Sequence, residues 1–397
     1  MPRRVRIGVV GGGVVGSLVA AGLAGRDDVE VICCERSAQG MQIDAGTGLN
    51  IGPNGVKALR LFLPEVAESL VSASLPWSEW TVALTDGTPL ARFELDQLAD
   101  NPGLRIGWAA LNTRLRASAG AAIRYGNDVI GAGQEGDDPF IDLRADSGET
   151  HRIDDLDLLI AADGRYSVVR DSLLASDPTE YTDVALLRLL CPAPADCPID
   201  DYGQWFNGPN RLLAFRIPGD RVYCAGAFPL PGDGILTDAM KDPLAISALF
   251  MPPSGQVSPA VRFLLDAILG SGGRLHWARL QERATRLVGA SRVVLAGDAA
   301  HPMLPTLGQG ATQSIEDACV LVDEIRHALT DGGELHDVPA QFAARRQQRI
   351  DFVTGFSRDA TDTMRAGADP VAGTARKLEP AFLDKLQHLY RDVPRPR

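Results

Sequence analysis

The sequence predicts an α/β fold in which a parallel-sheet nucleotide domain is split along the chain around an inserted, mainly antiparallel sheet, with helices at the C-terminal end. Three observations carry this. The chain opens on a continuous β-branched run, Val5–Val10, then a glycine turn, a small-residue helix over residues 17–24 and a second apolar strand, Val29–Cys34. Continuous apolar strands flanking a helix mark a parallel βαβ unit covered on both faces. Residues 183–230 are strand-rich and broken by Gly208-Pro209-Asn210 and Pro218-Gly219-Asp220, both hairpin candidates. The last third returns to the opening pattern, with a buried strand at 293–296, a tight turn at Gly308-Gln309-Gly310 and helical period over 311–329.

The intervening elements follow the same rules. Pro53-Asn54-Gly55 opens a helix running to Leu63, since proline is tolerated in a first helical turn. Residues 80–84 and 91–95 alternate like half-exposed strands, 103–119 read as a short strand and a helix, and 141–143 and 156–161 read as strands. The expected division is a nucleotide domain from residues 1–75, 103–182 and 275–360, a substrate-binding sheet domain from 76–102 and 183–274, and a C-terminal helical tail, 361–397, that packs on the body.

Composition narrows the partners. A net charge of -12 over 397 residues argues against nucleic acid and against an anionic membrane surface, both of which select basic footprints. No signal peptide is readable at the start and no run approaches the roughly 20 apolar residues that span a bilayer, so a cytoplasmic protein is expected. The six cysteines show neither Cys-x-x-Cys spacing nor a neighbouring histidine, so reduced, buried thiols and no metal site are expected.

Gly11-Gly12-Gly13-Val14-Val15-Gly16 fits the Gly-x-Gly-x-x-Gly turn of a Rossmann-like domain. Gly11 permits the bend, Gly13 lets the backbone approach a pyrophosphate, and Gly16 allows the helix to pack on the strand. The diphosphate would sit on the helix N-terminus, where unpaired amides and the helix dipole favour negative charge. Glu35, 19 residues beyond Gly16, is placed to accept hydrogen bonds from a ribose hydroxyl pair. Val15 and Arg36, beside these positions, join them as cofactor-binding candidates. A second literal match, Gly131 to Gly136, precedes Asp137-Asp138-Pro139 instead of a helix and reads as a hairpin loop.

Two later segments complete the pattern: Asp163-Gly164-Arg165-Tyr166-Ser167-Val168-Val169-Arg170, and Gly297-Asp298-Ala299-Ala300-His301-Pro302 with its continuation to Gly310. With these the chain resembles the flavoprotein aromatic hydroxylases, the para-hydroxybenzoate hydroxylase-like family, whose Asp-Gly-x-x-Ser-x-x-Arg segment is reproduced in full. The resemblance runs from Arg4 to about Arg349 and is nearest the 6-hydroxynicotinate and salicylate hydroxylase branch. It implies tightly but non-covalently bound FAD, with Asp163 and Gly164 by the pyrophosphate, Asp298 on the ribitol chain, and Pro305, Gly308, Gly310 and Ala311 shaping the wall near the isoalloxazine. Residues 46–54, including Gly48, are similar to the family's loop beside the flavin. Asn112 stands three residues before Leu115, where relatives carry an arginine that contacts FAD; Arg105 or Arg114 would have to replace it. Thr306 stands where that branch often has histidine.

The implied activity is hydroxylation of a small, activated aromatic or N-heteroaromatic compound, using oxygen through a flavin hydroperoxide and NADH or NADPH as a transient co-substrate. Water must be kept from the reacting centre for oxygen to be transferred rather than lost as peroxide. Candidate catalytic residues are His301, as a proton donor, Pro302, Tyr202 and Trp205; Gln204, Phe215 and Tyr223 join the last two as a possible flat aromatic pocket. A flavin oxidase or reductase that inserts no oxygen, and a non-catalytic flavin-binding protein, share the same motifs. A monomer or a homodimer is expected.

Overall fold

In a computed structural model the described residues are 3–41, 47–145, 147–174, 178–232, 234–330 and 333–397. A six-stranded sheet runs in the order Val288–Ala290, Val293–Leu295, Leu158–Ala161, Val5–Val10, Val29–Cys34, Ile123–Arg124, and all but its first pairing are parallel. Its central strands are almost entirely apolar because both faces are covered. The helix Val14–Leu23 is buried at nine of its ten positions, since it lies between this sheet and the helix Gln309–Thr330. It begins three residues earlier than the sequence pattern suggests, immediately after Gly13.

A second sheet of seven strands is ordered His276–Glu282, Glu180–Pro192, Arg221–Pro229, Asn210–Ile217, Tyr202–Asn207, Glu79–Leu84, Pro89–Glu94. Both expected hairpin turns lie between its strands, at residues 208–209 and 218–220. The edge strand His276–Glu282 pairs with Glu180–Pro192, so the expected boundary at 275 assigns it to the wrong sheet. Its half-buried first residues and its charged Arg279 and Glu282 conceal it in the sequence. The helices Pro243–Leu249 and Pro259–Leu269, which the sequence reading passed over, bury Ile246, Val261, Leu264, Leu265 and Ile268 against one face of this sheet.

Two smaller sheets complete the body. Gly48–Ile51, Gly103–Gly107 and Leu75–Trp77 pair antiparallel and carry the chain past the cavity described below. Asn127–Glu135, Asp138–Ala145 and Thr150–Ile153 form the other, which corrects the reading of Gly131 to Gly136 as a loop: Gly131 and Gly133 are paired strand residues, and the turn begins only at Gly136. The tail forms two helices, Pro370–Lys377 and Pro380–Arg391, whose Leu386, Leu389 and Tyr390 are buried with Trp77, Trp80, Phe93 and Phe356. Among the described residues no helix is long and apolar enough to cross a membrane.

Candidate functional site

A cavity of about 1070 Å³ runs from the glycine turn to the seven-stranded sheet. At its first end Gly11 adopts φ +98°, and a Cβ there would come within 2.4 Å of the Ala162 carbonyl oxygen. A Cβ on Gly16 would lie 2.0 Å from the Gly11 oxygen, so any larger residue would push helix from strand. Gly13 differs: it lines the cavity, and a Cβ there would meet nothing within 4 Å. The helix that begins at Val14 has no side-chain cap, so its first amides are left to bond an anion, and a helix N-terminus stabilises negative charge by about 0.3–1 kcal/mol.

Glu35 closes this end. It accepts hydrogen bonds from the Gly12 amide (2.9 Å) and the Ser37 amide (2.9 Å), with Arg116 at 3.2 Å. Burial acts to raise its pKa, but Ser37, Arg116 and Gly12 outweigh it and hold the carboxyl below its ordinary value. Arg116 also donates to the Gly12 carbonyl at 2.9 Å. Asn112 lines the cavity one helical turn earlier. Neither expected replacement for a guanidinium at 112 is on the wall: Arg105 is buried against the Pro76 and Asp200 carbonyls and Asp201, and Arg114 is exposed. The guanidinium on this wall at the glycine turn is that of Arg116.

The two later motifs meet at the same cavity. Asp163 accepts from the Ser167 hydroxyl (2.6 Å) and the Val169 amide (3.2 Å), and burial raises its pKa above the usual value. Arg170 is not a surface charge; it is 2% exposed and donates to the carbonyls of Ala284, Ala299 and Ala300, tying this segment to the one that carries Asp298. Asp298 lines the cavity with Arg165 at 3.7 Å and the Gly310 backbone close by. Asp317 fixes the loop beneath: it accepts from the Gly297 amide (2.8 Å), His301 Nε2 (2.6 Å) and Arg346 Nε (2.8 Å). Burial pushes the Asp317 carboxyl up, yet His301 and Arg346 hold it well below the usual carboxylate range, at about 2.

At its other end the cavity is walled by one face of the seven-stranded sheet. Side chains alternate along a strand, so Arg211, Leu213 and Phe215 face the cavity while Leu212 and Ala214 face the helices. Tyr223 and Ala225 join them from the next strand, Leu186 and Arg188 from the one after, and Tyr202 from the other side. Tyr202 stacks on Phe215 with centroids 5.8 Å apart, and Phe215 tilts against Tyr223 at 5.1 Å. Gly48 passes directly over them; a Cβ there would come 2.5 Å from Cβ of Tyr223.

Of the expected site residues, Gly11, Gly13, Val15, Glu35, Gly48, Asn112, Asp163, Gly164, Asp298, Pro305, Gly308, Gly310, Ala311 and Tyr202 line this cavity. Gly16 stands behind the turn, and Gly46 lies outside the described residues. Four expectations are corrected. His301 is fully buried, bonded to Asp317 and off the cavity wall, so it is not placed to donate a proton there. Pro302 is buried beside it and off the wall, its carbonyl accepting from the Arg283 amide. Trp205 is one residue out of phase with Gln204 on its strand and packs on the helix side. Arg36 is exposed and does not line the cavity that Glu35 joins. Gln204 acts at one remove, donating to the Tyr202 oxygen at 2.9 Å.

The sequence reading missed Trp108, Arg116, Arg188 and Arg211. For Arg188 a signal was available, a charge flanked on both sides by leucines in Leu-Leu-Arg-Leu-Leu; Arg211 stands at the start of a strand that also holds Arg216 and is less conspicuous.

Known proteins match this architecture. Residues 266–353 fit the FAD binding domain family model. The 3-amino-4-hydroxybenzoate 2-monooxygenase of Streptomyces platensis is 30% identical over 83% of this chain and 82% of its own length. The 6-hydroxynicotinate 3-monooxygenase of Bordetella bronchiseptica is 26% identical over 93% and 94%. The crystal structure of Klebsiella pneumoniae HpxO complexed with FAD and uric acid has the same fold, with a TM-score of 0.78 at 20% identity, covering 97% of this chain and 93% of that one. The chain belongs to the FAD-dependent aromatic hydroxylases and is a flavoprotein monooxygenase.

Proposed function

We propose that the single cavity holds FAD and substrate end to end, and that the chain hydroxylates a small activated ring lying against Tyr202, Phe215 and Tyr223. The observation that carries this is the continuity of the space between the glycine turn and the aromatic face of the sheet. Glu35 would take the ribose hydroxyls, Gly13 and the uncapped helix start the pyrophosphate, and Asp298 with the Gly308–Ala311 backbone the ribitol and ring end. Arg116 would supply the guanidinium that Asn112 does not. Bound FAD supplies acceptance of two electrons from NADH or NADPH and activation of oxygen. The protein's share is to seat the ring on an apolar floor, exclude water from it and offer the Tyr202 and Tyr223 hydroxyls as hydrogen-bonding partners.

The test uses the FAD-loaded protein, a set of hydroxylated aromatic and N-heteroaromatic compounds, and labelled molecular oxygen. The expected result is substrate-stimulated NADH or NADPH oxidation, with one labelled oxygen atom in a hydroxylated product. Full conversion of the nicotinamide electrons to hydrogen peroxide, with no such product from any compound, would identify a flavin oxidase instead.

A further inference from the structure

The register of the seven-stranded sheet gives the floor of the substrate end a definite relief. Three of its strands, Glu180–Pro192, Arg221–Pro229 and Asn210–Ile217, pair antiparallel, so residues directly opposite one another share a face. On the cavity face Ala225 stands between Leu213 and Arg188. Two residues back along its strand, Tyr223 stands between Phe215 and Leu190. Two residues on, Ala227 stands between Arg211 and Leu186.

The two alanines differ in what covers them. Ala227 packs with Leu304 and Met364 and is off the cavity wall, whereas Ala225 lines the cavity. Ala225 is therefore the short side chain of this patch that meets open space, and it is bordered by longer ones on every side. Neighbouring strands lie about 4.8 Å apart and two residues of one strand span about 6.8 Å, so the border leaves a depression one residue wide over Ala225. Beyond the aromatic pair the floor is closed from above, because a Cβ on Gly48 would fall 2.5 Å from Cβ of Tyr223 and 3.1 Å from the Phe215 ring.

Building on the substrate site proposed above, we propose that Ala225 sets the size of the substrate. The compound hydroxylated is a single ring seated over Ala225, and Leu213, beside it on the next strand, excludes fused two-ring compounds. One methylene more or less in an apolar pocket changes discrimination about 10–200-fold, so side-chain size at these two positions is enough to decide between the two classes.

The FAD-loaded enzyme is titrated with hydroxybenzoates and hydroxypyridines, and with hydroxynaphthoates and hydroxyquinolines as fused two-ring counterparts, binding being read as perturbation of flavin absorbance. The wild type should bind the single rings at least about tenfold more tightly than the fused pairs. Ala225→Val and then Ala225→Leu should weaken single-ring binding stepwise, by about 30-fold or more for leucine. Because Ala225 meets open space, both variants should keep the FAD content and Tm of the wild type. Leu213→Ala, or Leu213→Val should the alanine variant not retain FAD, widens the depression and should raise two-ring affinity about tenfold. Equal binding of one-ring and two-ring compounds by the wild type, unchanged single-ring affinity in Ala225→Leu, or no gain at Leu213 overturns the proposal while leaving the aromatic site intact. Lost FAD or a clearly lower Tm in Ala225→Leu also overturns it, since the position would then be filled by its own neighbours. Binding of neither series by the wild type would instead overturn the site itself and this inference with it.

Discussion

The two ends of the cavity use charge in opposite ways. At the cofactor end charges come in pairs: Glu35 with Arg116, Asp298 with Arg165. Behind them Asp317 is matched by Arg346 and His301. At the substrate end Arg211 faces the cavity with no such match among the described residues. Paired charges position backbone and leave recognition to amides and shape, which suits a ligand that stays bound. An unpaired buried charge carries a desolvation cost that no described side chain offsets. The same contrast holds for glycine: Gly16 is required by its own fold, whereas Gly13 is open toward the ligand.

The largest expected effect is at Gly16. Gly16→Val places carbon against the Gly11 oxygen and should yield protein with no retained FAD and a strongly lowered Tm, read by absorbance and thermal unfolding.

Next is Arg346→Met, which removes one cation shared by Glu316 and Asp317, leaving them Arg349 and His301, and should cost about 3 kcal/mol of stability in denaturant titration. Both carboxyls are held at about 2 in the folded state, below the ordinary value near 4. Their contribution is therefore complete above about pH 4–5 and is lost as pH falls toward 2, so wild-type stability should drop steeply there and the variant's should drop less.

A smaller effect belongs to Arg116. Arg116→Gln should weaken FAD binding about tenfold, roughly 1.4 kcal/mol, without changing which aromatic compounds bind. An altered compound preference would break the division between the two ends. The smallest effect should come from Trp205→Phe, which changes only the helix side of the sheet, away from the cavity, and should leave KM for an aromatic substrate within about twofold.

What the sequence made legible follows from which constraints are local. The glycine turn and the strands beside it were readable because Gly11 and Gly16 answer requirements set within a few residues. Tyr202 was placed correctly at the cavity and Trp205 was not, because a strand's two faces differ by a single step and nothing in Tyr-Gly-Gln-Trp says which face meets a cofactor. His301 looked available because its partner, Asp317, comes from a helix 16 residues later whose inward face only the fold reveals. Arg116 is not distinguished in the sequence from Arg114, the other arginine of its helix. Which residue of a helix reaches a loop depends on side-chain length and on the far acid, Glu35.

The most direct test of the cofactor end is Gly13→Trp. At φ −81° this position accepts an ordinary side chain, and a Cβ there meets nothing within 4 Å, so the ring should fill the proposed pyrophosphate cradle without disturbing the fold. Titration of the FAD-free variant should show the wild-type Tm with FAD affinity reduced at least 100-fold. Wild-type affinity in a normally folded Gly13→Trp protein would contradict the placement of the dinucleotide at this turn.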